Sequence, residues 1–164
     1  MKKYNSVSEP FLAELRAAVG EANVFTAPEK LEQYKTDEEY DPRRFRVPEA
    51  VVRPANAEEI AAVVKLCNKY NVPLTVRSGG TSLADGAIAV CGGIVLLMER
   101  LNKIIEMNTE AMYVIAEAGV RTIDIQKLAN EAGFLYAGDP CSAESCPAWR
   151  WLRRPAKSWR WAAA

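Results

Sequence analysis

Residues 73–87 read PLTVRSGGTSLADGA, and this stretch sets the interpretation of the whole chain. A short apolar run at 74–76 predicts a strand that stops where two adjacent glycines begin. Glycines let the backbone approach a ligand closely and turn several N–H groups toward one point, while the neighbouring hydroxyls and arginine add donors and positive charge. The stretch predicts an anion-binding loop after a strand, with a plain tight turn as the competing interpretation.

The composition narrows the class of protein. The chain has 164 residues, 49% of them apolar, which is enough for one moderate core, so we expect one folded unit. Lys plus Arg and Asp plus Glu each number 21, and this balance gives no indication of nucleic-acid binding. No apolar run approaches a membrane span and no secretory signal opens the chain, so we expect a cytoplasmic protein without membrane contact.

The sequence contains no histidine. The commonest general base and metal ligand is therefore missing, which argues against Ser-His or Cys-His hydrolases and against a metal site. The cysteines, Cys67, Cys91, Cys141 and Cys146, show no CxxC spacing and indicate neither a zinc site nor a disulfide framework. A cofactor that carries its own chemistry fits better, because the protein then has only to bind and orient it.

Apolar periodicity predicts an α+β chain. Helical spacing predicts helices from Ser8, Pro28, Asn56 and Thr122, with Ser8, Asn56 and Thr122 as N-caps. The helix after Asn56 carries an apolar stripe of Ile60, Val63, Val64 and Cys67. Apolar runs predict strands at 51–54, 72–76, 93–98, 103–107 and 112–118.

The order of these elements predicts how some of them pair. The strands at 51–54 and 72–76 flank a helix, so we expect them to be parallel, with ligand loops at their C-terminal ends. The last two strands are joined by a turn at 108–110 and are expected to be antiparallel. Residues 37–46 are densely charged and predict a solvated connection.

Four short blocks follow one another along the chain: VVRPANAEE at 51–59, residues 76–87, GGIVL at 92–96, and AEAGV at 116–120. In this order they resemble the FAD-binding domain of the vanillyl-alcohol oxidase superfamily, also called the PCMH type. The resemblance is greatest to its glycolate oxidase FAD subunit and FAD-linked D-lactate dehydrogenase branch. It implies a PCMH-type fold with a mixed sheet flanked by helices at 50–146, preceded by an N-terminal helical extension at 1–49.

The resemblance also implies a cofactor and its site. In such proteins the segment matching 77–83 wraps the FAD pyrophosphate through backbone amides, a second turn lies close by, and the segment matching 139–141 lies along the flavin. Relatives that attach FAD covalently through this loop carry a histidine where this chain has Thr81, so we expect noncovalent FAD. The implied cofactor-binding residues are Arg77, Ser78, Gly79, Gly80, Thr81, Ser82, Leu83, Gly86, Ala87, Asp139, Pro140 and Cys141.

Arg77 is the leading candidate for an electrostatic role toward the cofactor. A surface salt bridge with Asp85 or another acid is the competing interpretation. We expect Asp85 and Asp139 to shape their turns, and we assign neither a catalytic nor a metal-binding residue.

The function implied by the resemblance is that of complete relatives, which are longer than the part of the family pattern found here. Complete relatives oxidise a small 2-hydroxy acid of the glycolate or D-lactate type and pass electrons to a partner protein or quinone. Their substrate-binding part follows the FAD domain and has no counterpart here, so we expect residues 1–164 to bind FAD without turning over substrate. One alternative is a noncatalytic FAD-domain-like subunit or interaction module that uses its Trp/Arg-rich tail, and another is a pseudogene product without function.

The C-terminal stretch departs from the family pattern. Residues 147–164 read PAWRWLRRPAKSWRWAAA and hold all 4 tryptophans of the chain, five cations and no acid. The preferred interpretation is an out-of-frame or truncated terminus, which makes the chain a fragment. An interfacial membrane anchor and a partner-binding segment are the alternatives.

Overall fold

The computed structural model describes residues 4–38, 41–136 and 138, and it shows an α+β chain. The helices are α1 (Glu9–Val19), α2 (Pro28–Leu31), α3 (Ala57–Tyr70) and α4 (Thr122–Glu131). The strands are β1 (Val24–Phe25), β2 (Ala50–Val52), β3 (Leu74–Arg77), β4 (Ile94–Leu97), β5 (Ile104–Asn108) and β6 (Tyr113–Ala116). Short 3-10 turns lie at Glu21–Asn23, Glu32–Tyr34 and Pro42–Arg44. Among the described residues, no helix is both long enough and apolar enough to cross a bilayer.

A four-stranded mixed sheet forms the centre of the fold. Its strand order is β1-β2-β4-β3, with β2 and β3 both parallel to β4 and β1 antiparallel to β2. The predicted parallel relation of β2 and β3 is confirmed, and β4 lies between them. The predicted antiparallel pairing of β5 and β6 is also confirmed; these two strands form a separate sheet.

The central strand β4 is buried along its whole length, because helices and loops cover both faces of the sheet. Its side chains alternate between two apolar clusters, as the pleat of a strand requires. Ile94 and Leu96 pack into a cluster with α1 and α3 side chains, including the fully buried Phe11 and Leu15. Val95 and Leu97 pack into a second cluster with Val51, Ala89 and Leu31.

The three predicted helix N-caps agree with the structure to different extents. Asn56 caps α3, since its side chain accepts a hydrogen bond from the backbone N–H of Glu59 at 2.8 Å. Ser8 holds the N-cap position of α1 without a side-chain cap bond, and Pro10 supplies a preset φ in the first turn. The prediction that Thr122 caps α4 was wrong: Arg121 occupies that position, and its guanidinium pairs with Asp124 in the first turn instead.

The apolar stripe of α3 is narrower than the sequence predicts. Val63 and Cys67 are buried and Ile60 packs against the same cluster, but Val64 is 38% exposed. Val64 borders the stripe and lines a surface cavity instead of entering the core.

Two glycines with similar backbone angles provide a test of packing at the start of β4. Gly93 has φ +74°, and a Cβ there would lie 2.2 Å from the carbonyl oxygen of Pro73. Gly133 has φ +81°, but no described atom lies within 4 Å of its Cβ position. We expect Gly93→Ala to lower the free energy of unfolding by about 3 kcal/mol or more and Gly133→Ala by only about 1 kcal/mol. Urea unfolding of both variants measures the difference, and equal losses would contradict the close contact.

The two described cysteines should differ in reactivity. Burial raises the pKa of Cys67 to about 11, whereas Cys91 is exposed. Because the thiolate is the reactive form, Cys67 stays an unreactive thiol at pH 8 and becomes thiolate only as the pH approaches its raised pKa. We expect iodoacetamide at pH 8 to alkylate Cys91 in the folded protein and Cys67 only after denaturation. Peptide mapping by mass spectrometry reads each site separately, and equal labelling in the folded protein would contradict this.

Candidate functional site

The glycine-rich loop begins where β3 ends, at the C-terminal end of the parallel strands. The backbone N–H of Met98, just after β4, donates to the carbonyl oxygen of Arg77 at 2.9 Å and fixes the point at which the loop leaves the sheet. Gly80 has φ +74°, and Leu83 is 62% exposed. The structure therefore places the predicted loop at the sheet edge where parallel-strand folds bind ligands.

Five consecutive backbone N–H groups of this loop lack a partner among the residues that the structure describes. The amides of residues 79–83 donate to no acceptor in the described part of the chain. Backbone N–H groups are obligatory donors, so these five must bond to water or to a ligand. A run of free amides around a positive-φ glycine is the arrangement that binds an anion.

Arg77 lies beneath this loop, with its guanidinium turned toward the protein. Nη1 donates to the carbonyl oxygens of Thr36 at 2.7 Å and Ala87 at 3.4 Å, and the guanidinium lies 5.7 Å from the ring centroid of Tyr34. Burial lowers the pKa of Arg77, while the charge of Asp37 and the nearby Tyr34 oppose that shift. An arginine remains charged under such conditions, so a positive charge is held directly behind the loop.

The two adjacent glycines have different roles. A Cβ on Gly80 would lie 2.2 Å from Nη2 of Arg77, so this position needs glycine both for its φ and for the close approach of the guanidinium. At Gly79 the nearest atom to an added Cβ is Cγ2 of Thr81 at 3.8 Å, an ordinary contact. The second glycine is the one that the geometry requires.

The three loop hydroxyls differ in whether they bond within the protein or remain able to donate to a ligand. The Ser78 hydroxyl donates to the carbonyl oxygen of Ala118 at 2.6 Å. Ser82 Oγ accepts from the N–H groups of Ala84 at 3.1 Å and Gly86 at 3.2 Å, which leaves its own O–H free to donate. Thr81 is exposed, and its hydroxyl makes no hydrogen bond to the described residues. The sequence had suggested three ligand donors, but Ser78 ties the loop to the AEAGV block.

That block meets the end of β4 at very short range. A Cβ on Gly119 would lie 2.1 Å from the carbonyl oxygen of Met98, and the Gly119 N–H donates to the Leu101 carbonyl oxygen at 2.8 Å. Two of the four blocks that carry the resemblance, residues 76–87 and 116–120, thus come together beside the C-terminal end of β4. The signal for Gly119 was present in the sequence only as part of that resemblance.

Asp85 pairs with Arg44 and not with Arg77, so that form of the competing interpretation was wrong. The expectation that Asp85 shapes its turn is confirmed, since it has φ +57° and its carbonyl oxygen accepts from the Ile88 N–H at 3.2 Å. The solvated connection predicted at 37–46 was wrong for Asp37, which is only 8% exposed and faces the Arg77 charge.

The sequence interpretation missed Tyr34, Thr36 and Arg44 as neighbours of the loop, because no motif marks them. Gly86 and Ala87 lie at the far end of the loop, with Ala87 buried. Asp139, Pro140 and Cys141 lie outside the described residues.

The matches to known proteins include the part of the chain that contains this loop. Residues 48–147 match the family described as FAD binding domain. Glycolate oxidase subunit GlcD of Bacillus subtilis is 34% identical over 101 residues, which covers 62% of this chain and 22% of that protein. D-lactate dehydrogenase of Anaerostipes hadrus is 33% identical over 138 residues, which covers 84% of this chain and 29% of that protein. The chain thus spans less than a third of the length of these relatives.

A solved structure supports the fold. The crystal structure of p-cresol methylhydroxylase with substrate bound superposes with a TM-score of 0.62 at 22% identity, covering 78% of this chain and 26% of that one. The PCMH-type FAD-binding fold implied by the four blocks is confirmed. Because the family match spans most of the chain and includes the glycine-rich loop, this chain belongs to the FAD binding domain family, whose cofactor is FAD.

Proposed function

We propose that this chain binds FAD noncovalently and that the loop after β3 holds the pyrophosphate. The observation that carries the proposal is the run of five free amides at 79–83 with the Arg77 guanidinium directly behind it. Backbone N–H groups and a fixed positive charge together favour a diphosphate over a neutral ligand. A side chain on Gly80 would displace the Arg77 guanidinium, and its absence leaves the loop backbone open to a ligand.

Each predicted site residue has a proposed part in this binding. The amides of Gly79, Gly80 and Thr81 face the phosphates, helped by the free O–H groups of Thr81 and Ser82. Arg77 contributes charge from beneath, Ser78 holds the loop to Ala118, and Leu83, Gly86 and Ala87 complete the second turn. Asp139, Pro140 and Cys141 are proposed to lie along the flavin. Bound FAD supplies the redox chemistry, and the residues above bind and orient it.

We also propose that the FAD-binding part acts within a flavin-linked oxidoreductase for a small 2-hydroxy acid, with electrons passed to a partner protein or quinone. The names of two relatives, a glycolate oxidase subunit and a D-lactate dehydrogenase, support this substrate class. Because the chain spans less than a third of those relatives, we expect FAD binding without substrate turnover from residues 1–164.

The proposed division of the chain follows the same reasoning. Residues 1–49 form the N-terminal extension, 50–146 the FAD-binding part and 147–164 the Trp/Arg-rich tail. The family match at 48–147 supports the first boundary to within a few residues. The extension nevertheless shares the core, because α1 packs against α3 and β1 joins the sheet.

Flavin retention tests the binding site. The chain is refolded with excess FAD and desalted, and we expect flavin absorbance to remain with the protein. Gly80→Glu fills the space next to Arg77 and adds a negative charge at the phosphate position, so we expect FAD affinity to fall at least tenfold. Gly133→Glu is the matched control, because it adds the same charge at another positive-φ glycine outside the loop. A folded parent protein without flavin, or equal retention by both variants, would show that the loop does not bind FAD.

Acid precipitation tests the mode of attachment. The chain has no histidine to form a covalent bond to the flavin, so we expect trichloroacetic acid to release all bound flavin into the supernatant. The absorbance of pellet and supernatant measures the split. Flavin that stays with the pellet, or flavin mass on a peptide, would point to attachment through another side chain.

A further inference from the structure

We infer that residues 34–38 and 41–44, which precede the part of the chain matched by the family, position the FAD loop through Arg77 and Arg44. Tyr34 and Thr36 hold the first arginine beneath the loop, and the second arginine holds Asp85 in the turn that follows it. This inference rests on the proposed FAD binding at the loop and deepens it. It makes both arginines positioning residues.

Arg77 joins the two ends of the loop. Its backbone ends β3, and its Nη1 donates to the carbonyl oxygen of Ala87, the first buried residue after the loop. The same nitrogen donates to the Thr36 carbonyl oxygen at 2.7 Å, across 41 positions of sequence, while the guanidinium stacks near Tyr34. One side chain therefore ties the start and the finish of the loop to the 34–37 segment.

Arg44 forms the second connection, also across 41 positions. Its Nη1 pairs with Oδ2 of Asp85, whose side chain is only 15% exposed. Asp85 has φ +57°, a conformation that costs a non-glycine residue energy unless the surroundings hold it. The ion pair thus holds a strained residue in the turn between the free amides and the buried 87–89 segment.

The described residues on either side of positions 39 and 40 are themselves held in place by hydrogen bonds and packing. The Arg46 N–H donates to the Lys35 carbonyl oxygen at 3.0 Å and closes the segment at its base. Asp41 accepts from the Arg43 N–H at 3.1 Å and caps the 3-10 turn that carries Arg44. Tyr34 packs against the apolar cluster under the sheet. Both arginine contacts therefore start from residues whose backbone or neighbours make hydrogen bonds and packing contacts of their own.

Positioning matters because the five free amides gain affinity only if they already point together. A loop that must be ordered on binding pays that entropy from its binding energy. Connections at both ends of the loop remove part of this cost. Loss of one partly exposed ion pair should loosen the loop by up to about fivefold in its opening equilibrium.

Arg44→Met tests the inference, with Arg43→Met as the control. Both variants remove one cation that pairs with Asp41 from the same 3-10 turn, but Arg44 also pairs with Asp85 in the loop. We expect Arg44→Met to speed hydrogen exchange of the Gly86 and Ile88 amides about fivefold without FAD, relative to Val95 in β4, and to weaken FAD binding by a similar factor. Arg43→Met should change neither. Asp85→Asn should match Arg44→Met, and the double variant should add nothing further.

Arg77→Lys separates position from charge. Lysine keeps the positive charge but ends in a compact ammonium, which cannot reproduce the guanidinium that reaches two carbonyl oxygens through Nη1 while lying 5.7 Å from the Tyr34 ring centroid. We expect faster Gly86 and Ile88 exchange and at least a tenfold loss of FAD affinity, although the net charge is unchanged. A lysine variant with parental exchange and affinity would overturn the assignment for Arg77.

Exchange measured without FAD keeps this inference distinct from the proposed function. Equal exchange in Arg44→Met and Arg43→Met would overturn the role of Arg44, whether or not FAD binds. A parent protein that binds no FAD would defeat the proposed function and, with it, the claim that the loop is a cofactor loop. The exchange result would then still decide whether residues 34–38 and 41–44 position it.

Discussion

The half-buried guanidinium of Arg77 is the constraint on which the loop depends. Nη1 of Arg77 donates to the carbonyl oxygens of Thr36 and Ala87, while the guanidinium lies 5.7 Å from the ring centroid of Tyr34. Its burial has a desolvation cost, which the carbonyl groups and the charge of Asp37 offset. A side chain at position 80 would have to displace this guanidinium from its partners, besides adopting a φ of +74°. One side chain therefore explains the required glycine, the closure of the loop and the positive field behind the free amides.

Much of the fold could be predicted because its signals are local. The cap at Asn56 and the apolar spacing of α3 lie within a few residues of the helix that they specify, and the all-apolar β4 indicates burial on both faces. The position of the loop after β3 followed from the break between an apolar run and two glycines. These features depend on neighbours in sequence, which a sequence displays directly.

Most features of the fold and the site that the sequence did not predict depend on contacts between residues distant in sequence. The position of β4 between β2 and β3 depends on which strand faces must be buried, and no turn residue in the sequence indicates this strand order. Both arginine contacts of the loop span 41 positions, and the charged 37–46 segment offers several acids and bases that spacing alone cannot assign. At the start of α4 the salt bridge of Arg121 with Asp124 replaces the cap expected from Thr122. The errors in the 37–46 stretch came from tertiary contacts, whereas the error at α4 came from an ion pair between residues only three positions apart.

The N-terminal residues are part of the sheet's core as well as of the loop. Phe11 and Leu15 lie in the same cluster as Ile94 and Leu96, and Leu31 lies in the cluster of Val95 and Leu97 on the other side. Without residues from 9 to 31, apolar surface on both sides of β4 would meet water, at a cost of about 25 cal/mol for each Å² exposed. The strand that loses cover is the one whose end fixes Arg77. The residues that stabilise the sheet and those that place the loop are therefore adjacent parts of one segment, which couples the stability of the fold to the geometry of the site.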